Sequence, residues 1–232
     1  MDTDDLPPTD DMDEVERRLR APLAETMTTQ RAVRRVRPDP VDPKIIRRLI
    51  ELALEAPTGS NGQNWEFVVV TDPAAKERFR TQYRRSASLY LAAVERARGD
   101  DPQTARIIKS VRWQIDHFTE IPVLVVACLR GGGKVPFVPM PAFADSSHYG
   151  SIYPSVQNLL LAARAVGLGA SLVTLPLWST TVARRILGLP LSVEPCCMVP
   201  LGWPIGRYGP KARRPVDEVT HHERYRRDGG GE

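Results

Sequence analysis

Two apolar, largely β-branched runs constrain this chain more than any other feature. Trp65-Glu66-Phe67-Val68-Val69-Val70-Thr71 and Ile121 to Leu129 each read as a buried strand, and a buried strand needs covering layers. Helical patterns between and around the runs supply them. Asp42 before Pro43 is an N-cap followed by a first-turn proline, and Ile45, Ile46, Leu49, Ile50 and Ala53 keep helical spacing as far as Ala56, where Pro57 ends the helix. Asp72-Pro73 opens the next. Residues 73 to 98 and 102 to 118 read as helices, as do Tyr153 to Val166, stopped by Gly167, and Thr180 to Leu187, stopped by Gly188. Further strands are expected at 170 to 175 and 196 to 201. Val15, Leu19, Leu23 and Met27 recur every four residues, which predicts one amphipathic helix from Asp13 to Met27. Strands and helices interleave without a linker or a repeat, so we expect one α/β domain over 13–232, preceded by a disordered acidic tail at 1–12.

Charge sharpens the picture. The chain has 232 residues and a net charge of +4, but residues 1 to 16 hold eight acids and no base, which leaves 32 bases against 20 acids, or +12, for the remainder. Such an excess suits a nucleic acid, an anionic surface or a phosphate-bearing ligand. With 42% apolar residues the chain is too apolar for intrinsic disorder. Of its three cysteines, Cys196 and Cys197 are adjacent and badly placed to pair, so a disulfide framework is not expected and the compartment reads as reducing. With no basic-then-apolar leader at Met1-Asp2-Thr3-Asp4-Asp5, a cytoplasmic location is expected. The most apolar stretch, Leu159 to Trp178, is broken by Gly167, Gly169 and Pro176 and reads as helix, turn and strand, so no membrane partner is expected.

The usual chemical signatures are weak. His117, His148, His221 and His222 lack ligand spacing, so no metal is expected. Cys128 and Cys197 lie in apolar strands and read as packing residues. Gly131-Gly132-Gly133-Lys134 lacks the spacing of a nucleotide-triphosphate loop, and no dinucleotide fingerprint follows a strand. What remains is an arginine cluster, Arg31 to Arg37, and a polar loop, Pro57-Thr58-Gly59-Ser60-Asn61-Gly62-Gln63-Asn64, at the entrance to a strand. The loop offers backbone donors, hydroxyls and amides, which suit a planar heteroaromatic ligand.

At these residues the sequence resembles the flavin-dependent nitroreductase family. The resemblance is carried in order by Arg31-Ala32-Val33-Arg34-Arg35, by Ala56-Pro57-Thr58-Gly59-Ser60-Asn61-Gly62-Gln63-Asn64-Trp65, by Gly167-Leu168-Gly169 and by Lys211-Ala212-Arg213-Arg214-Pro215-Val216. Val33 stands where the family often has Ser, and Asn64 replaces its usual Pro. The resemblance implies a nitroreductase-like α+β fold, a central mostly antiparallel sheet flanked by helices, in a homodimer with FMN at the subunit interface and a C-terminal extension able to wrap the partner. It implies that Arg31 and Arg213, in segments with Ala32, Val33, Lys211 and Arg214, hold the FMN phosphate. Arg35 would face the flavin N1 and O2 edge, where a positive charge stabilises the anionic reduced ring. Asn61 and Gln63 would bond the ring, and Pro57, Thr58, Gly59 and Ser60 would line the face visited by nicotinamide and substrate. Pro154, Ser155, Gln157 and Asn158, with Thr174 and Leu175, would pack on the other face. No catalytic side chain is implied, because flavin N5 carries the hydride.

The implied activity is an oxidoreductase taking hydride from NAD(P)H and giving it to a nitroaromatic, quinone or similar electrophile by a ping-pong mechanism, or a relative acting by reductive dehalogenation or flavin breakdown. The alternative is a basic nucleic-acid-binding domain using Arg34, Arg35, Arg37 and Arg224 to Arg227. Such domains usually interleave aromatics with their cations, and the Arg31 to Arg37 cluster has none, so a nucleic-acid partner is not expected.

Overall fold

The computed structural model describes residues 6–131, 142–206 and 211–225. Gly132, Gly133, Lys134, the His148 side chain, Arg226 and Arg227 fall outside the described residues. Four strands form one antiparallel sheet: β1 (Trp65–Val70), β2 (Val123–Arg130), β3 (Gly169–Ala170) and β4 (Val193–Gly202), in the order β1-β2-β4-β3. Side chains alternate along β2 as the pleat requires. Val123, Val125, Ala127 and Leu129 enter one core with α1 (Met12–Arg18), α3 (Pro43–Ala53) and α6 (Ala142–Ala165). Leu124, Val126 and Cys128 enter a second core with α4 (Pro73–Arg98), α5 (Pro102–Asp116) and α7 (Thr180–Leu187). The sheet is therefore covered on both faces.

Three helices begin where an Asp precedes a Pro: the carboxylates of Asp42, Asp72 and Asp101 accept from backbone N–H groups of the first turns of α3, α4 and α5. Four elements differ from expectation. The single helix over 13–27 is two, α1 and α2 (Leu23–Thr29), because Pro22 cannot continue a helix; Leu23 and Met27 are left 63% and 49% exposed. Helix α6 starts before Tyr153 and carries Pro154 inside it. Strand β3 ends at Ala170, and the chain touches the sheet again only where Val173 and Met198 exchange backbone hydrogen bonds of 2.9 Å. Strand β4 starts at Val193 and includes Pro195, opposite Cys128, with Cys196 as the extra residue of a bulge before Cys197, opposite Ala127. From Leu6 the chain is already held: the Pro7 carbonyl accepts from Arg18 Nη1 at 2.9 Å.

Candidate functional site

The arginine-rich stretch is a backbone arm laid along one corner of the sheet. Val33 N–H donates to Ala170 O at 2.9 Å, Val36 pairs with Pro204, and Ile205 N–H donates to Arg35 O at 3.0 Å. Val33 is buried against Gly169, so the residue that departs from the family's Ser is a packing residue. The arm sends Arg34 into a cavity of about 700 Å³ between α4, α5 and residues 172–175, where Thr174 and Leu175 form part of the wall. Arg34 Nε is buried with no hydrogen-bond partner. Burial also pushes the Tyr83 phenol beside it up to about 12, against the pull of the Arg34 charge. The wall is braced by buried polar contacts: Ser86 Oγ donates to Leu175 O at 2.8 Å, Tyr83 OH to Gln114 Oε1 at 3.2 Å, and Gln114 Nε2 to Ser171 Oγ at 3.0 Å.

Arg31 goes elsewhere, to the C-terminal end of α6, where it shares a tight crevice with Arg164 and Gly169. The C-terminal segment arrives beside it. Lys211 Nζ donates to Met27 O at 2.7 Å, and burial together with the charges of Arg213 and Arg31 holds the Lys211 ammonium below the ordinary lysine range. Three cations thus converge from chain positions 180 residues apart. A site of this kind favours an anion with several acceptor oxygens.

The polar loop is built at a different place. Residues 59–61 form a single 3-10 turn, and Ser60, Asn61 and Gln63 take left-handed φ values of 51°, 52° and 45°. Gln63 N–H donates to Thr58 Oγ1 at 3.2 Å and Gln63 Nε2 to Asn61 Oδ1 at 3.2 Å. Helix α6 anchors the loop through one residue: Gly59 N–H donates to Ser151 Oγ at 3.3 Å, and Trp65 Nε1 donates to Ser151 O at 2.9 Å. Pro57, Gly59, Ser60, Asn61 and Gln63 are exposed.

Arm and loop occupy diagonal corners of the sheet. The loop enters β1 at Trp65, which aligns through Leu129 with Glu194 at the start of β4, whereas the arm pairs with Pro204 beyond the end of β4. Ten residues of extended chain and three strand spacings separate them, about 35 Å. Helix α6 gives a second measure, since Ser151 at the loop and Arg164 at the arm are thirteen residues apart, about 20 Å. Within one chain the sequence-expected residues therefore fall into separate groups: Arg31, Lys211 and Arg213; Thr174 and Leu175, which share their cavity with Arg34; and the loop.

Several expected residues stand outside these groups. The Arg35 guanidinium lies over the Trp113 ring at 5.9 Å, and Arg34, which sequence reasoning offered only to a nucleic acid, is the arginine in the cavity. Arg214 turns to Glu218, with Nη2 donating to its carbonyl at 2.9 Å. Ala32 and Gln157 are exposed, Pro154 is half-buried, and Asn158 Nδ2 donates to Leu52 O at 3.4 Å, tying α6 to α3. Ser155 Oγ is buried without a partner. Burial pushes the Cys128, Cys196 and Cys197 thiols up to about 12, which leaves no thiolate for nucleophilic chemistry near neutral pH. Among the described residues no group of His, Cys, Asp or Glu could hold a metal, and no helix is long and apolar enough to cross a membrane.

Comparison with known proteins gives this geometry a context. The model of the Nitroreductase family matches residues 27–203. An NADH dehydrogenase of Thermus thermophilus is 31% identical over 198 residues, covering 82% of this chain and 91% of that protein. An iodotyrosine deiodinase of Danio rerio is 26% identical over 181 residues, covering 77% of this chain and 58% of that protein. A crystal structure of oxidized iodotyrosine deiodinase bound to FMN and 3-iodo-L-tyrosine shares the fold, with a TM-score of 0.69 at 21% identity over 88% of this chain and 100% of that one.

Proposed function

Because this chain belongs to the nitroreductase family, we propose that it is an FMN-dependent oxidoreductase that moves hydride from NAD(P)H to an electrophilic acceptor such as a nitroaromatic or quinone, acting as a homodimer. The observation that carries this reading is the convergence of Arg31, Lys211 and Arg213, which fits a phosphate dianion. Arg34 supplies the second part of the fit. Its buried, unpartnered Nε in the cavity is a donor waiting for an acceptor, and a fixed cation there stabilises negative charge on a ring bound against Thr174 and Leu175. FMN, when bound, supplies a two-electron carrier at its N5 atom. Among the described residues the cavity is lined by no carboxylate, cysteine or histidine, so the chain contributes orientation and electrostatics. Nicotinamide and acceptor then use one face in succession, in a ping-pong cycle.

The diagonal placement of arm and loop supports the homodimer. Among the described side chains the outward stripe of α6, with Tyr153, Pro154, Gln157 and Leu161, is uncharged until Arg164. Two copies packed with these helices antiparallel would carry the loop of one chain to the arm of the other, across the same distance of about 20 Å.

Equilibrium titration with FMN tests the reading. Arg31→Ala and Arg213→Ala are each expected to weaken binding by about 1.5 to 3 kcal/mol, the scale of a charge-assisted hydrogen bond, with the fold retained by circular dichroism. Unchanged affinity in both variants overturns the phosphate site.

A further inference from the structure

The cavity that holds Arg34 is longer than the place described for a flavin ring. Leu175, at one end, is level with Ser86 on α4, which bonds its carbonyl. The opposite end is lined by Arg98, twelve residues further along the same helix, or about 18 Å. Arg98 lines this end of the cavity and makes no ion pair among the described residues. Between the two ends the walls are mainly Leu91, Val94, Ile107 and Ile108, with Tyr90 and Thr104 as polar members, and among the described residues no acidic side chain lines the space. Such a channel is largely apolar along its length, cationic at its outer end and without a carboxylate for an ammonium group.

We propose that this channel is the acceptor site and selects acceptors with an elongated apolar body ending in an anion, the reducible group lying toward Arg34 and Leu175 and the anion on Arg98. The inference rests on the oxidoreductase reading above for the word acceptor, and on the cavity alone for the ligand class. It disfavours zwitterionic amino acids, whose ammonium group would be desolvated against aliphatic walls with no carboxylate to meet it. Arg98 is a specificity residue here and takes no part in hydride transfer.

Titration calorimetry on the FMN-loaded protein, with ω-phenylalkanoates of increasing chain length and their methyl esters, reads binding without turnover. Affinity of the acids is expected to rise with chain length to an optimum, where the acid binds about fivefold tighter than its ester, the scale of an ion pair at a partly open site. Arg98→Ala is expected to bring the acid down to the affinity of the ester, and Arg96→Ala, two residues away and not part of the cavity wall, to keep the preference. Equal binding of acid and ester by the unaltered protein, a preference that survives Arg98→Ala, or an equal loss in Arg96→Ala overturns the proposal. The matching ω-(4-nitrophenyl)alkanoates, turned over with NADH or NADPH, are expected to show the same preference in KM with little change in kcat. Failure to reduce either acid or ester overturns the oxidoreductase reading, while the calorimetric preference still decides the ligand class.

Discussion

Gly169 has no room for a side chain. A Cβ there would lie 2.6 Å from Val33 Cγ1 and 3.2 Å from Val36 Cγ1, so the arm rests directly on this glycine. Gly167, two residues earlier, has a different reason to be glycine: its φ is 91°, a left-handed turn off the end of α6. Gly169→Ala is expected to destabilise the fold by about 1 to 3 kcal/mol through overpacking and to weaken FMN binding as well, because the arm carries Arg31 and Arg34. Thermal melting and FMN titration of that variant check both effects, and a full-strength site on a destabilised fold would show that the arm is not held by this contact. The Gly-Leu-Gly element was legible in the sequence, but the contact that requires its second glycine was not, since Val33 is 136 residues away. Neighbouring arginines show the same limit. Arg34 and Arg35 differ by one position, and only the pairing of Ile205 with Arg35 O and of Val33 with Ala170 decides which side chain turns toward α4. The loop held a further surprise: its left-handed residues are Ser60, Asn61 and Gln63, while the flanking Gly59 and Gly62 are not left-handed. Backbone strain of this kind persists where the surroundings hold it, and here Thr58 and Ser151 do so.

Elements announced by a local chemical signal were the readable ones. Helices α3, α4 and α5 start within a residue of their Asp-Pro pairs, and α7 stops at Gly188, left-handed with φ 67°. Prolines misled elsewhere, since Pro154 lies inside α6 and Pro195 inside β4, where neighbouring structure tolerates what local preference disfavours. Helix α1 shows how a short element is held by charge instead of by length. Arg18 is buried and donates to Val166 O at 3.0 Å as well as to Glu14, and hydrogen bonds from Arg17 and then Arg18 hold the Glu14 carboxyl down at about 2. A carboxyl depressed in the folded state contributes stability that is present above its unfolded value, about 4.3, and is lost as the pH falls through about 2. Amide exchange in α1 is therefore expected to accelerate between pH 4.3 and 2 relative to the sheet, and Glu14→Gln is expected to show the faster exchange already at neutral pH. Exchange in that variant indistinguishable from the parent would place the anchor of α1 elsewhere.

At the scale of the whole molecule, a sheet covered by helices could be read from alternating strand and helix patterns and its antiparallel α+β order from the family resemblance alone, whereas the distribution of the site could not be read at all. The motifs lie within 35 residues of each other in sequence, Arg31 to Trp65, but the sheet sends them to opposite corners. No spacing rule reports that, because it depends on which strands lie between. The diagonal has a genetic consequence. If each site takes its arm from one chain and its loop from the other, defects in the two corners belong to different sites in a mixed pair. A chain carrying Arg31→Ala with Arg213→Ala, and a second carrying Ser60→Pro with Asn61→Pro, are each expected to form dimers with no intact site. Unfolded together and refolded as a mixture, they are expected to yield heterodimers in which one site unites both sound corners while the other collects all the damage. Flavin retention would then reappear in a mixture of two colourless proteins, separable by differently tagged partners on a double affinity column. A mixture that stays colourless although heterodimers are recovered would mean that each chain completes its site alone.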